Sequence, residues 1–173
     1  MRFSTLLLPL GLAAGLVDAQ SILNAMGTIS NATVALNSSV TSFREDGDPL
    51  KLLPIIVQST ELLSDINRGT KQAQASANLT VDEALTVASA TLTLVSDVQT
   101  TLDNIIAGKD LFSDELVAPL ILLNLEEEKS ASDKFSAAVL SKVPSALLPT
   151  AELLVAPIDT AFEAAISAYE GAL

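Results

Sequence analysis

The sequence predicts an all-α fold, a bundle of about five long, partly kinked helices around a central helix. Three observations carry this. Apolar residues recur at alternating three- and four-residue steps along most of the chain, caps and prolines cut the pattern into segments of helical length, and no strand-like alternation or hairpin signal competes. Composition agrees: 49% of the residues are hydrophobic but only 3% are aromatic, so aliphatic side chains do nearly all the packing.

In chain order, the first nineteen residues read as a secretory signal peptide. Arg2 precedes an apolar run from Leu6 to Val17, and Val17-Asp18-Ala19 offers small residues for cleavage before Gln20. Residues 20–173 then form a single domain. Its first helix is expected from about Ser21 to Phe43, with Ile22, Met26, Ile29, Leu36, Val40 and Phe43 on one face and Thr33 filling a missing step. A charged turn, Arg44 to Asp48, leads to Asp48-Pro49, an N-cap followed by proline.

The second helix carries Leu52, Ile56, Leu63 and Ile66, with Ser59 the polar member of the row. Pro54 is expected to bend it or delay its regular start, and Gly69 to loosen its last third. The third, from Thr80 to Gly108, is expected to be the central one. Thr80-Val81-Asp82-Glu83 is a capping box. Val81, Leu85, Ala88, Leu92, Val95, Leu102 and Ile106 make one row, with Gln99 its polar member; Ala84, Val87, Leu94, Val98 and Ile105 make a second beside it. At 1.5 Å per residue this helix is about 40 Å long, and Gly108 suits a left-handed C-terminal residue.

The next segment clusters Leu116, Val117, Leu120, Ile121, Leu122, Leu123 and Leu125 around Pro119, which reads as a helix start with a kink and a buried turn. Glu126-Glu127-Glu128 is expected on a solvated face, with Glu126 near Lys129, because three consecutive helical residues do not converge on a metal. Phe135, Val139 and Val143 continue the helix. After the break from Pro144 to Pro149, the last helix places Val155, Ile158, Phe162, Ile166 and Tyr169 on one face and is kinked by Pro157. Glu170-Gly171-Ala172-Leu173 has no hydrophobic tail, so a glycolipid anchor is not expected.

Composition excludes much chemistry. With neither His nor Cys, a Ser-His-Asp triad, a Cys nucleophile and ordinary zinc sites are impossible within this chain. A secreted chain without Cys relies on its core rather than on disulfides. The net charge of −12 argues against nucleic acid and anionic membranes, and no run after the leader is long enough to span a bilayer. Twenty-one acidic residues make any glycosidase-like pair unspecific, and there are almost no aromatic rings to stack on sugars. No enzyme activity, metal or cofactor is expected. Asn31, Asn37 and Asn78 head N-glycosylation sequons. Asn31 points away from its apolar row, Asn78 lies in a loop, and Asn37 sits nearer the flank.

Long helices bent by proline can leave an elongated apolar cavity suited to an aliphatic chain. Candidate lining residues are Ile56, Leu63, Leu85, Leu92, Val95 and Leu102 from the second and third helices. Leu122, Phe135, Val139, Ile158 and Phe162 come from the later ones. The alternative is that these residues fill a dry core. Ser59, Gln99 and Ser132 interrupt apolar rows and are candidates to hydrogen-bond a carboxyl head group; otherwise they fix helix register or bond back to their own helix.

The secretory leader, the absence of Cys, the Ala/Leu/Ser/Thr-rich helices, the break at Leu140-Ser141-Lys142-Val143-Pro144 and the closing Phe162-Glu163-Ala164-Ala165-Ile166-Ser167-Ala168-Tyr169 resemble the fungal hydrophobic surface-binding protein A family, which includes cell-wall galactomannoproteins. The resemblance implies a secreted or wall-associated helical domain that binds fatty acids or other lipids internally. It also implies adsorption to hydrophobic surfaces, where some members assist secreted hydrolases. Two readings follow: a lipid carrier with an internal site, or a surface-active wall glycoprotein acting through exposed apolar stretches such as Leu116 to Leu125.

Overall fold

A computed structural model describes residues 12–171, with side chains from Ala19 onward. The start of the expected leader lies outside the described residues. Five long helices and one short one follow: α1 (Leu12–Asp46), α2 (Leu52–Ala75), α3 (Val81–Ala107), α4 (Lys109–Asp114), α5 (Ala118–Leu140) and α6 (Leu148–Glu170). No strand occurs among the described residues, in keeping with the all-α expectation.

The boundaries follow local chemistry. Asp48 caps a short 3-10 turn, Pro49–Lys51, by accepting from the Leu50 N–H at 3.0 Å. The regular helix is thereby delayed to Leu52. Pro54 sits in the first turn of α2, and Pro119 and Pro149 sit in the first turns of α5 and α6. Those N–H groups have no helical partner in any sequence, so the three prolines break no bond. Among the described residues, Pro157 alone lies beyond the first turn of a helix.

The capping box of α3 is complete. The Thr80 N–H donates to Glu83 Oε2 at 2.8 Å, and the Glu83 N–H donates to Thr80 Oγ1 at 3.3 Å. The Thr80 N–H, together with the Thr80 hydroxyl that donates to the same Oε2 at 2.7 Å, holds the exposed Glu83 carboxyl below its ordinary value. At the other end Gly108 is right-handed (φ −89°), not left-handed as its position suggests. Space favours glycine there: a Cβ would stand 3.0 Å from the Phe112 ring and 3.2 Å from the Arg44 side chain. Among the described residues, the left-handed ones are Gly47 (φ 66°) and Leu116 (φ 59°), the latter making the break between α4 and α5 just ahead of Pro119. Gly69 loosens nothing. It is buried where α1, α2 and α5 meet, and a Cβ would come within 3.2 Å of both Ile29 and Phe135.

The five long helices form a closed ring. α1 packs between α2 and α3, α2 lies against α5, α3 against α6, and α5 and α6 complete the circuit. The long third helix is therefore one wall of the bundle rather than its centre. The cause lies in its second row: Ala84, Val87, Thr91, Leu94, Val98, Thr101 and Ile105 are buried, while Val81, Leu85 and Leu92 of the first row are more than half exposed. Two threonines inside the inward row disguise it as the weaker of the two. One end of the bundle is sealed by aromatic rings. Phe43 and Phe112 lie 5.0 Å apart between centroids, Phe112 and Tyr169 6.5 Å, and the buried Tyr169 hydroxyl donates to the Ile105 carbonyl at 2.8 Å. Burial drives that phenol's pKa upward.

Candidate functional site

A ring of five helices with aliphatic inner faces does not close at its axis, and a narrow lumen remains. Met26, Ile29 and Leu36 of α1 and Leu62 and Ile66 of α2 form one side. Leu94, Val98 and Leu102 of α3 face Phe135 and Val139 of α5, and Val155, Ile158 and Phe162 of α6 close the wall. The cavity proper is about 50 Å³, within about 710 Å³ of unfilled space once side-chain crevices and the opening are counted. The smaller figure measures room in the present side-chain arrangement, and an alkyl chain would have to spread the walls.

Two further chambers adjoin the lumen along the bundle. One, of about 60 Å³, shares Thr91, Val139 and Val155 with it and is walled by Leu85, Leu147 and Leu154. The other, of about 20 Å³, shares Leu36, Ile105 and Glu128 and adds Ile55, Ser59 and Phe112. From Ala84 to Ile105 on α3 the series covers about 30 Å.

The lumen is less polar than its residue types suggest. Thr33, Thr91 and Thr101 face it, but each hydroxyl donates to the carbonyl four residues earlier on its own helix, at 2.8, 2.9 and 2.8 Å. That back-bonding satisfies the hydroxyl within the helix. Glu128 is the exception. It is 4% exposed, lies where the main lumen meets the smallest chamber, and accepts from Ser59 Oγ at 2.6 Å. Burial in aliphatic surroundings, offset in part by the Ser59 bond, pushes its pKa up to about 7. The three-glutamate run is thus split: Glu126 and Glu127 are exposed as expected, whereas Glu128 turns inward. It falls three residues after Leu125 and seven before Phe135, both buried, which is the inward register of α5. That register is the signal by which the sequence could have revealed it.

Five of the expected lining residues are brought together on the lumen wall: Leu102, Phe135, Val139, Ile158 and Phe162. Leu85 is 57% exposed and borders the side chamber, while Leu92, at 55% exposed, lies off the lumen. Val95 and Leu122 are buried elsewhere in the core, and Ile56 and Leu63 are half-buried outside the lumen wall. Among the polar candidates, Ser132 lines the lumen and Ser59 the smallest chamber. Gln99 is exposed in an open groove between α3 and α6, because it belongs to the outward row of α3. Asn31 and Asn78 are exposed; Asn37 is half-buried and accepts from Asn104 Nδ2 at 2.8 Å.

A model of the hydrophobic surface binding protein A family matches residues 19–141. Cell wall mannoprotein 1 of Aspergillus flavus and that of Aspergillus fumigatus are each 32% identical to this chain, over 98% and 99% of it. The chain spans 63% and 61% of their respective lengths. The crystal structure of Afmp4p in complex with palmitic acid superimposes with a TM-score of 0.82 at 30% identity, over 87% of this chain and 99% of that one. Ligand binding domain 1 of the Penicillium marneffei MP1 protein, complexed with arachidonic acids, gives a TM-score of 0.82 at 21% identity over 88% and 98%, a likeness of fold. With the family match covering most of the described helices and Afmp4p alike along nearly its whole length, this chain belongs to the hydrophobic surface binding protein A family.

Proposed function

We propose that this chain is a secreted, cell-wall-type protein that holds a long-chain fatty acid or similar lipid in the lumen between its five long helices. The observation that carries the reading is the lumen itself: a series of adjoining aliphatic chambers spanning about 30 Å along the bundle, with Ser59 of α2 and Glu128 and Ser132 of α5 on its wall. Apolar length next to a small polar site is the form of an amphiphile. The palmitic acid complex of Afmp4p, the same fold at 30% identity, supports the ligand class. Ser59 and Ser132 are the head-group candidates, and Leu102, Phe135, Val139, Ile158 and Phe162 the tail contacts.

Removal of residues 1–19 would shorten α1, which starts at Leu12, and would leave all but the first residue of the family match, which starts at residue 19. Names of the mannoprotein relatives support a place in or near the cell wall, with glycans on the exposed Asn31 and Asn78. No helix among the described residues is long and apolar enough to cross a membrane.

Native mass spectrometry of the secreted, deglycosylated protein, followed by denaturing extraction and lipid identification, tests the reading. One fatty acid per chain, or uptake of added fatty acid, is expected. Val98→Trp should then reduce uptake severalfold by filling the lumen, while Leu92→Trp, off the lumen, should leave it unchanged. A protein that carries no lipid and refuses added lipid would overturn the proposal.

A second reading rests on a separate observation. Leu50 is 81% exposed, Leu53 67%, Leu116 86% and Leu123 50%. These lie near the starts of α2 and α5, which face each other across the smallest chamber. Such leucines suit adsorption to a hydrophobic surface, where secreted hydrolases would also act. Binding to apolar beads should persist with the lumen filled by Val98→Trp and fall in a Leu53→Ser, Leu116→Ser double variant; retention of full adsorption by that double variant would remove the patch from consideration.

A further inference from the structure

Glu128 has no counterpart in a channel that serves only an alkyl chain. Its carboxyl group stands among Leu36, Ile105, Leu125 and Ile121, with Ser59 Oγ donating to Oε1. Among the described residues, no other titratable group lines the main lumen or the smallest chamber, whether contributed by α1, α2, α3, α4, α5 or α6. Glu127, exposed on the same helix, is the charge that acts on it, and it acts repulsively. The site therefore contains a carboxyl group, a serine hydroxyl and, at its half-buried edge, the uncharged Asn124 amide, but no cation.

That donor set discriminates between head groups. A carboxylate arriving at Glu128 would place a second negative charge in a low-dielectric space with nothing to balance it, and two carboxyl groups so placed do not both ionise. An ammonium group would balance the charge, but it must give up its hydration, and the chamber offers few oxygens for its three N–H bonds. An uncharged hydroxyl meets neither difficulty. It donates to Glu128 when that carboxyl is ionised and accepts from it when it is protonated. A carboxylic acid that keeps its proton presents the same O–H.

We propose that Glu128 and Ser59 form the head-group subsite of the lumen, and that it takes an uncharged O–H, of a long-chain alcohol or of a fatty acid bound together with one shared proton, while rejecting a free carboxylate. The inference rests on the lumen being the lipid site. Burial of Glu128 gives the subsite its pH range, since the group is half-ionised near pH 7. Above that pH a fatty acid binds only with uptake of a proton, so its affinity falls by up to about tenfold per pH unit, whereas an alcohol of equal length carries no such term.

Calorimetric titration of the delipidated protein with dodecanoic acid and with dodecanol, at pH 5.5 and pH 8.5, tests this in wild type, Glu128→Gln and Ser59→Ala. In wild type the acid should weaken at least tenfold between the two pH values and the alcohol less than threefold. In Glu128→Gln, which keeps the shape and an acceptor for Ser59, the acid should lose most of that pH dependence and bind at least tenfold tighter than wild type at pH 8.5. Ser59→Ala should weaken the alcohol severalfold at both pH values. The same pH dependence for the acid in wild type and Glu128→Gln would overturn the subsite. Failure of both ligands at either pH would remove the lumen as the lipid site, and the subsite with it.

Discussion

Glu128 also makes stability depend on pH. In the unfolded chain its carboxyl titrates near the ordinary glutamate value of 4.5; in the folded protein burial raises this to about 7. Between those values the folded state holds a proton that the unfolded state has lost, so the slope of unfolding free energy against pH is negative there. Stability is fully present below about pH 4.5, falls as pH rises toward 7, and is flat beyond for this group. A separation of that size corresponds to about 3 kcal/mol. The carboxylates shifted the other way, Glu83 and Asp46, act in a separate window: their contributions are present above the ordinary carboxylate pKa and are lost on further acidification. Glu128→Gln removes the titration while keeping an acceptor for Ser59. Urea unfolding of the delipidated protein at pH 4.5, 6, 7 and 8 should therefore show a declining curve for wild type and a nearly level one for the variant. The gap should open to about 2–3 kcal/mol by pH 8. Far-UV circular dichroism is the suitable probe, since the chain has no Trp. Parallel curves over this interval would refute the assignment of Glu128 as a buried, unpaired carboxyl group.

Three further outcomes are expected from the same unfolding assay. Thr80→Ala, which removes the capping box of α3, should lower stability by about 1 kcal/mol. Tyr169→Phe deletes a buried donor to the Ile105 carbonyl and should destabilise by about 1 kcal/mol. Gly108→Ala forces a methyl group to 3.0 Å from Phe112 and should destabilise by about 1–3 kcal/mol, whereas a gain would show that this corner is loosely packed.

Caps and turn residues were legible because their chemistry is local. The Thr80–Glu83 box and the Asp48 cap form as the sequence indicates, each needing no more than one turn of helix. The lumen wall was legible only in part, through Leu102, Phe135, Val139, Ile158 and Phe162. Leu85 and Leu92 misled because the apolar repeat on α3 is broad, and hydrophobicity alone does not say which edge of a broad stripe faces inward. Thr91 and Thr101 point inward because their hydroxyls are satisfied by their own helix, a bond that residue type does not announce. Glu128 was obscured by its neighbours: within three consecutive glutamates, the inward position emerges only from the register set by Leu125 and Phe135.

By itself, the sequence determined helix content, most helix limits, the family and the absence of His- or Cys-based chemistry, since these depend on residue identity and on spacings of three and four. Tertiary structure decided that the helices close in a ring rather than surround α3, and so that there is a lumen. It also decided which threonines, and which one of three glutamates, face that lumen. These outcomes depend on how each helix is rotated against two neighbours distant in sequence, a choice made by packing the whole ring at once.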